Sequence, residues 1–193
     1  MNDTATAQAR SSKSVYGLRA LAHPLRWMLI DLLESEGSAT ATRCAEVLGG
    51  SVASCSYHLG ILAKYGYIEL VPGITGREKP WRLASTHQDL SSQSSDPDEV
   101  LASQAASEAF LEHEMDQMKV RLRHVSLESP EWRDASAAGG STVYVTAAEL
   151  LKIKEELMTV LLRYADRESD PDSRPANARR ARVFFSTTVD PAR

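Results

Sequence analysis

The chain has 193 residues, 42% of them hydrophobic and 25% charged, with a formal net charge of -4. That is the composition of an ordinary globular protein with room for one full core and a smaller appended unit. No apolar run approaches the ~20 residues of a membrane span, and the polar opening MNDTATAQARSSKS lacks the apolar core of a secretory signal, so no membrane partner and a cytoplasmic location are expected.

The charge is unevenly placed. Between Arg10 and Ala84 nine Lys and Arg stand against six acids, and the remainder of the chain is acidic. Phosphate binding answers to local potential rather than whole-chain charge, so the acidic total does not exclude a nucleic-acid partner. Both cysteines, Cys44 and Cys55, fall on apolar faces of predicted helices, which suits free buried thiols better than a disulfide.

Residues 1–14 read as a flexible tail. Val15, Leu18, Leu21 and Ala22 then recur at helical spacing until His23-Pro24 interrupts them, and Pro24 suits the first turn of a second helix. Leu25, Met28, Leu29, Leu32 and Leu33 give that helix a wide apolar face, and Gly37 stops it. Thr40 to Leu48 is a third, short helix with Cys44, Val47 and Leu48 inward, followed by the turn Gly49-Gly50. The next stretch, SVASCSYHLGILAKYG from Ser51 to Gly66, forms a helix capped by Ser51 and ended by Gly66. Cys55, Leu59 and Leu62 share its inner face, while Ser54, Tyr57 and Lys64 point elsewhere. Gly60 lies mid-helix, where it costs roughly 1 kcal/mol relative to Ala, which calls for close backbone approach there by DNA or by a packed neighbouring helix.

A short helix, a glycine turn and a second helix make a helix-turn-helix unit. Tyr67 to Val71 and Pro80 to Leu83 have strand character, and Pro72-Gly73 with Gly76 mark the loop between them, so a hairpin with a basic edge at Arg77 and Lys79 follows directly. This is the arrangement of a winged helix.

The segments ALAHPLRWMLIDLL, CAEVLG, SVASCSYHLGILAKYGYIEL and GREKPWRL, in this order, resemble the ArsR-type winged-helix transcriptional regulators of bacteria, over about residues 15–84. The resemblance implies double-stranded DNA as a partner, with Ser54, Ser56 and Tyr57 in the major groove, His58 near a phosphate, and Arg77 and Lys79 on the wing. Arg43, Ser51 and Lys64 complete the expected DNA-contacting set. Metal-sensing members often carry a Cys-x-Cys pair in the third helix, where this chain has Arg43-Cys44-Ala45. Others bind zinc through a long helix; His113 and His124 have the required separation, but Leu111 and Leu127 stand where the outer ligands belong. The two histidines are therefore read as surface residues, and neither a metal nor a cofactor is expected.

Residues 85–95 are polar and read as a linker. Asp96-Pro97-Asp98-Glu99 starts a helix that runs to about Val125, within an expected dimerisation segment over 96–126. Leu111, Met115, Met118, Leu122 and Val125 alternate spacings of four and three along it, a narrow apolar seam suited to a partner helix. This seam, joined by Val15 and Leu18 of the first helix, is the expected homodimer interface. After a flexible loop, residues 142–189 read as a strand-helix-strand unit: Thr142 to Val145 as one strand, a helix opened by the capping box Thr146-Ala147-Ala148-Glu149 with Leu150, Ile153, Leu157, Leu161 and Tyr164 inward, and Val183 to Val189 as a second strand.

The fold class expected is α+β, mainly helical. Ser, His and Asp are scattered, and the chain contains no G-x-G-x-x-G, P-loop or H-E-x-x-H, so no enzyme activity is expected. The function expected is a homodimeric, sequence-specific transcriptional regulator on a pseudo-palindromic operator, with a small-molecule effector left open. A winged-helix protein-interaction module is the alternative, kept alive by a reading helix whose one ionic side chain is Lys64. An RNA-binding winged helix is a third.

Overall fold

The computed structural model describes residues 15–74, 76, 78–85 and 96–190. The expected tail at 1–14, the wing residue Arg77, and the linker beyond Ser85 lie outside the described residues. The chain divides into two compact units that meet between Leu127 and Glu128, and each is described by itself.

The first unit runs α1 (Val15–Leu21), α2 (Pro24–Glu36), α3 (Ala41–Leu48), α4 (Val52–Lys64), β1 (Ile68–Leu70), β2 (Trp81–Leu83) and α5 (Pro97–Val125). Local chemistry places each boundary. His23 caps α2, its Nδ1 accepting from the Leu25 N–H at 3.2 Å, and Pro24 fills the first turn where its missing N–H costs nothing. Thr40 caps α3, and Gly49 ends it in the left-handed conformation at φ +69°. The Ser51 hydroxyl accepts from the Ser54 N–H at 3.1 Å to open α4, and Gly66 at φ +72° turns the chain out of it. Asp96 opens α5 by accepting from the Asp98 N–H at 2.9 Å.

The strands pair antiparallel with Ile68 opposite Leu83, Glu69 opposite Arg82 and Leu70 opposite Trp81. Trp81 also bridges Ala39, exchanging backbone hydrogen bonds of 2.8 and 3.0 Å, so the stretch before α3 adds a third rung beside the wing. Leu21, Leu29, Leu33, Cys44, Cys55, Leu59, Leu62 and Ile68 fill the core between the helices and this sheet. Each large apolar side chain so buried stabilises the fold by about 1.5–3 kcal/mol relative to exposure. Met28 and Val47, expected inward, are instead exposed; the core side of α2 is held by Trp27, whose indole Nε1–H donates to the Leu21 carbonyl at 2.7 Å. Cys44 and Cys55 are free and buried, as their spacing implies, and burial pushes the Cys44 thiol up to about 11.

The long helix α5 carries two stripes on opposite sides. Ala102, Ala106 and Ala109, with His113, lie at spacings of four and three and are buried on the side that packs against α1 and α2. Small side chains let the helix axes approach closely there. The seam Leu111, Met115, Met118, Leu122 and Val125 lies across the helix from that stripe, with Leu111, Met115 and Leu122 between 40% and 46% exposed. His113 is thus not a surface histidine: it is buried, and its Nε2 meets Asp31 Oδ2 of α2 at 2.6 Å. His124 is exposed as expected, bonded to the Val120 carbonyl. Leu18 also departs from expectation. At 2% exposure it belongs to this unit's interior and has no surface to offer a second subunit.

The second unit holds α6 (Pro130–Asp134), α7 (Ala147–Leu162), α8 (Asp166–Ser169) and a short 3-10 turn at Pro171–Ser173. The expected capping box forms: Thr146 Oγ1 accepts from the Glu149 N–H, and the Glu149 carboxylate accepts from the Thr146 N–H at 2.7 Å. The expected strands do not form. Residues 142–145 and 183–189 are irregular, and none of the described residues of this unit is buried. Trp132 docks under the Arg179 guanidinium, 4.9 Å from its ring centre, while Arg179 grips Glu128 with bonds of 2.7 and 2.8 Å. The α+β class holds with one small sheet among the described residues, and no described helix is long and apolar enough to cross a membrane.

Candidate nucleic-acid interface

The helix α4 is seated by Cys55, His58, Leu59 and Leu62, all buried. The residues across the helix from them, Ala53, Tyr57, Gly60 and Lys64, recur at spacings of four, three and four, and every one is exposed. Ser56 is exposed beside this stripe and Ser54 is half-buried at its other margin. Tyr57 stands out at 63% exposure. Nothing in the fold lies within 4 Å of where a Cβ on Gly60 would project, so no packed neighbour within the described chain accounts for the glycine. The stripe is small at Ala53 and Gly60, and this face can meet an external surface at backbone distance.

His58 departs from the expected phosphate contact. It is buried, and its Nδ1 accepts from Arg26 Nε at 3.2 Å. Since a guanidinium can only donate, the imidazole is neutral with its proton on Nε2. Burial, then the neighbouring His23 and Arg26, hold its pKa below the ordinary imidazole value. His23 packs on the same ring at 4.4 Å between centroids, and Tyr57 meets it edge-on at 5.2 Å. His58 therefore supports the Tyr57 side chain from beneath.

Arg43 is likewise engaged. Its guanidinium holds Glu36 through bonds of 2.7 to 3.2 Å, with Glu46 at 3.7 Å, and the hydrogen bond from Arg43 keeps the Glu36 carboxyl below the usual carboxylate range. The charge of this expected DNA-contacting residue is shared with two carboxylates. Ser51 spends its hydroxyl lone pair on the α4 cap and stays exposed. Lys64 remains exposed, its ammonium 5.4 Å from the Tyr65 ring centre.

On the wing, Lys79 is exposed and forms no ion pair among the described residues. The neighbouring Glu78 accepts from Thr42 Oγ1 of α3 at 2.9 Å, which ties the base of the wing loop to the helix before the reading helix. Arg82 and Glu69 neutralise each other across the strands at 2.6 Å. The structure so brings Ser56, Tyr57 and Lys64 onto one face and separates His58 and Arg43 from it. Ala53 and Gly60 are absent from the expected set; the helical spacing from Tyr57 carries the signal for both.

Three packed helices with a tight glycine turn between the second and third, followed by a two-stranded hairpin, define a winged helix-turn-helix. Residues 21–71 match the family model of a helix-turn-helix domain, from the end of α1 through β1, and over that segment the chain resembles ArsR-like winged-helix regulators. No curated protein matches the chain. Among the described residues no group of three His, Cys, Asp or Glu stands together as a metal site would require.

Proposed function

We propose that the protein is a sequence-specific DNA-binding transcriptional regulator that works as a homodimer on a pseudo-palindromic operator. The observation that carries this reading is the α4 stripe of Ala53, Tyr57, Gly60 and Lys64: it is exposed, free of intramolecular neighbours at Gly60, and set on the second helix of a helix-turn-helix. An α-helix laid in the major groove by such a face reads base edges with Tyr57 and Ser56, while Lys64, Lys79 and Arg77 supply the cationic contacts. One reading helix covers too few base pairs for selectivity. Two-fold pairing sets two of them about 34 Å apart, one helical turn of DNA. The seam on α5 supports that pairing, because Leu111, Met115 and Leu122 otherwise leave an apolar stripe in water.

A mobility shift against a randomised duplex library with competitor DNA tests the reading. A salt-sensitive, competitor-resistant complex is expected, with Tyr57→Ala costing about 1–3 kcal/mol at the selected site and little on random duplex. Absence of any such complex overturns DNA reading in favour of a protein-interaction module, and a preference for structured RNA over duplex DNA favours the RNA reading. Sedimentation of a Met118→Glu, Leu122→Glu double variant tests the dimer. A folded monomer with weakened operator binding is expected, and a variant that stays dimeric removes the seam from the interface.

A further inference from the structure

The end of α1 leaves carbonyls that its own helix cannot satisfy. Two of them receive side chains from α2: Arg26 Nη1 donates to the Ala20 carbonyl, and Trp27 Nε1 donates to the Leu21 carbonyl. A third carbonyl of α1, Gly17, accepts from the buried Tyr67 hydroxyl at 2.9 Å, just before β1. Side chains of two other segments therefore fasten this seven-residue helix, and α1 in turn packs along α5.

The Arg26 side chain also reaches the reading helix. Its Nε donates to His58 Nδ1, and the His58 ring abuts Tyr57. A rigid, planar fork held at both ends fixes an angle as well as a distance, which a lysine in its place does not do. The guanidinium is partly desolvated, so its two acceptors replace water that the site excludes.

We propose that Arg26 is the positioning residue of the reading helix: by bridging the Ala20 carbonyl of α1 and His58 of α4, it sets the angle at which the Tyr57 stripe meets the duplex. This rests on the DNA-reading proposal above. The bracket touches no base. It governs discrimination rather than general affinity, because a tilted α4 keeps Lys64 near a phosphate while Tyr57 loses its register on base edges.

Full-length Arg26→Gln, Arg26→Lys, His58→Leu and His58→Asn test it on two duplexes: the one the wild type enriches most from a random library, and a scrambled duplex of the same composition. The measured quantity is the ratio of the two dissociation constants at fixed salt, beside the salt slope and the melting transition. Arg26→Gln, Arg26→Lys and His58→Leu should each lose about tenfold of that ratio with the salt slope kept. His58→Asn, whose side-chain carbonyl stands near the place of Nδ1, should retain most of it. The Arg26→Gln, His58→Leu double variant should be no worse than Arg26→Gln alone, since that change already removes the bond to His58. A variant that merely unfolds in part weakens binding to both duplexes in proportion and leaves the ratio unchanged. An unchanged ratio in Arg26→Gln and His58→Leu, or a His58→Asn as impaired as His58→Leu, overturns the positioning role. A wild type that shows no discrimination at all defeats DNA reading itself, and the bracket with it.

Discussion

The two units carry equally clear local signals and answer them differently. In α4 a serine cap opens a helix whose inner face is fully buried; in α7 a complete capping box opens a longer helix in which no residue is buried. Leu150, Ile153, Met158 and Leu161 of α7 are half-covered, and Leu151, Val160 and Leu162 are exposed. Hydrogen bonds within four residues suffice to start a helix, but its stability in a protein comes from the face it buries. The first unit has that face and the second, within one chain, does not.

Core truncation should separate the two most sharply. Leu59→Ala should destabilise the first unit by about 2–5 kcal/mol in urea unfolding, whereas Leu157→Ala in the half-exposed face of α7 should cost well under half of that. Equal losses would mean that α7 is as well packed as α4 in solution. The caps give a smaller contrast. Ser51→Ala should lower the unfolding midpoint of the first unit by the equivalent of about 1 kcal/mol, while Thr146→Ala should act on α7 alone, seen as faster amide exchange there with the first unit's transition unmoved.

Gly60→Ala reverses the usual sign. With no neighbour for the added methyl and a regular helix around it, it should stabilise the first unit by about 0.5–1 kcal/mol and still weaken binding to the selected duplex. A stabilised variant with undiminished binding would show that no partner approaches closely at Gly60.

The smallest effect is on pH. Because the folded pKa of His58 lies below its ordinary 6.5, the unfolded chain takes up the proton first; stability is full above 6.5 and declines as pH falls from there towards the folded value. The groups facing the ring are His23, which caps α2, and Arg26 of α2, with Tyr57 beside it and Tyr65 close to Arg26. As the pH is lowered below about 6.5, melting of the wild type should therefore drop more than that of His58→Asn. Parallel curves would assign the drop to other groups.

Most of the first unit is legible in the sequence because its signals are local and agree with one another. Ser51, Gly49, Gly66, Asp96 and Pro97 each do at a helix boundary what their chemistry favours, and the wing follows from two short apolar runs around Pro72-Gly73. His113 escapes the pattern for a physical reason. Leucine and methionine dominate the seam, while the stripe that packs against α1 and α2 is alanine, whose small apolar area hardly registers in a periodicity. Val47 sits next to the last residue of the short helix α3, and Met28 falls off the face that Trp27, Leu29, Ile30 and Leu33 bury on α2. The family resemblance points His58 at a phosphate and Arg43 at DNA, whereas their actual partners, Arg26 and Glu36, lie 32 and 7 residues away. The missing strands make the same point more strongly. Thr142 to Val145 and Val183 to Val189 have the residues of strands, but a strand exists only when another pairs with it, and that is not a local property.

The indole of Trp27 has a use beyond packing. Buried at 3% exposure, bonded to the end of α1 and 4.9 Å from the ring of Phe110 on α5, it lies where three helices meet. Trp81 and Trp132 are already partly in water, so they have less to gain from further opening. Any event that lifts α5 away from α1 and α2 strips Phe110 from the Trp27 ring and admits water to it. The chain thus contains its own optical gauge: a red shift in tryptophan emission without loss of helical signal would register the loosening of the seam helix, in real time and with no label attached.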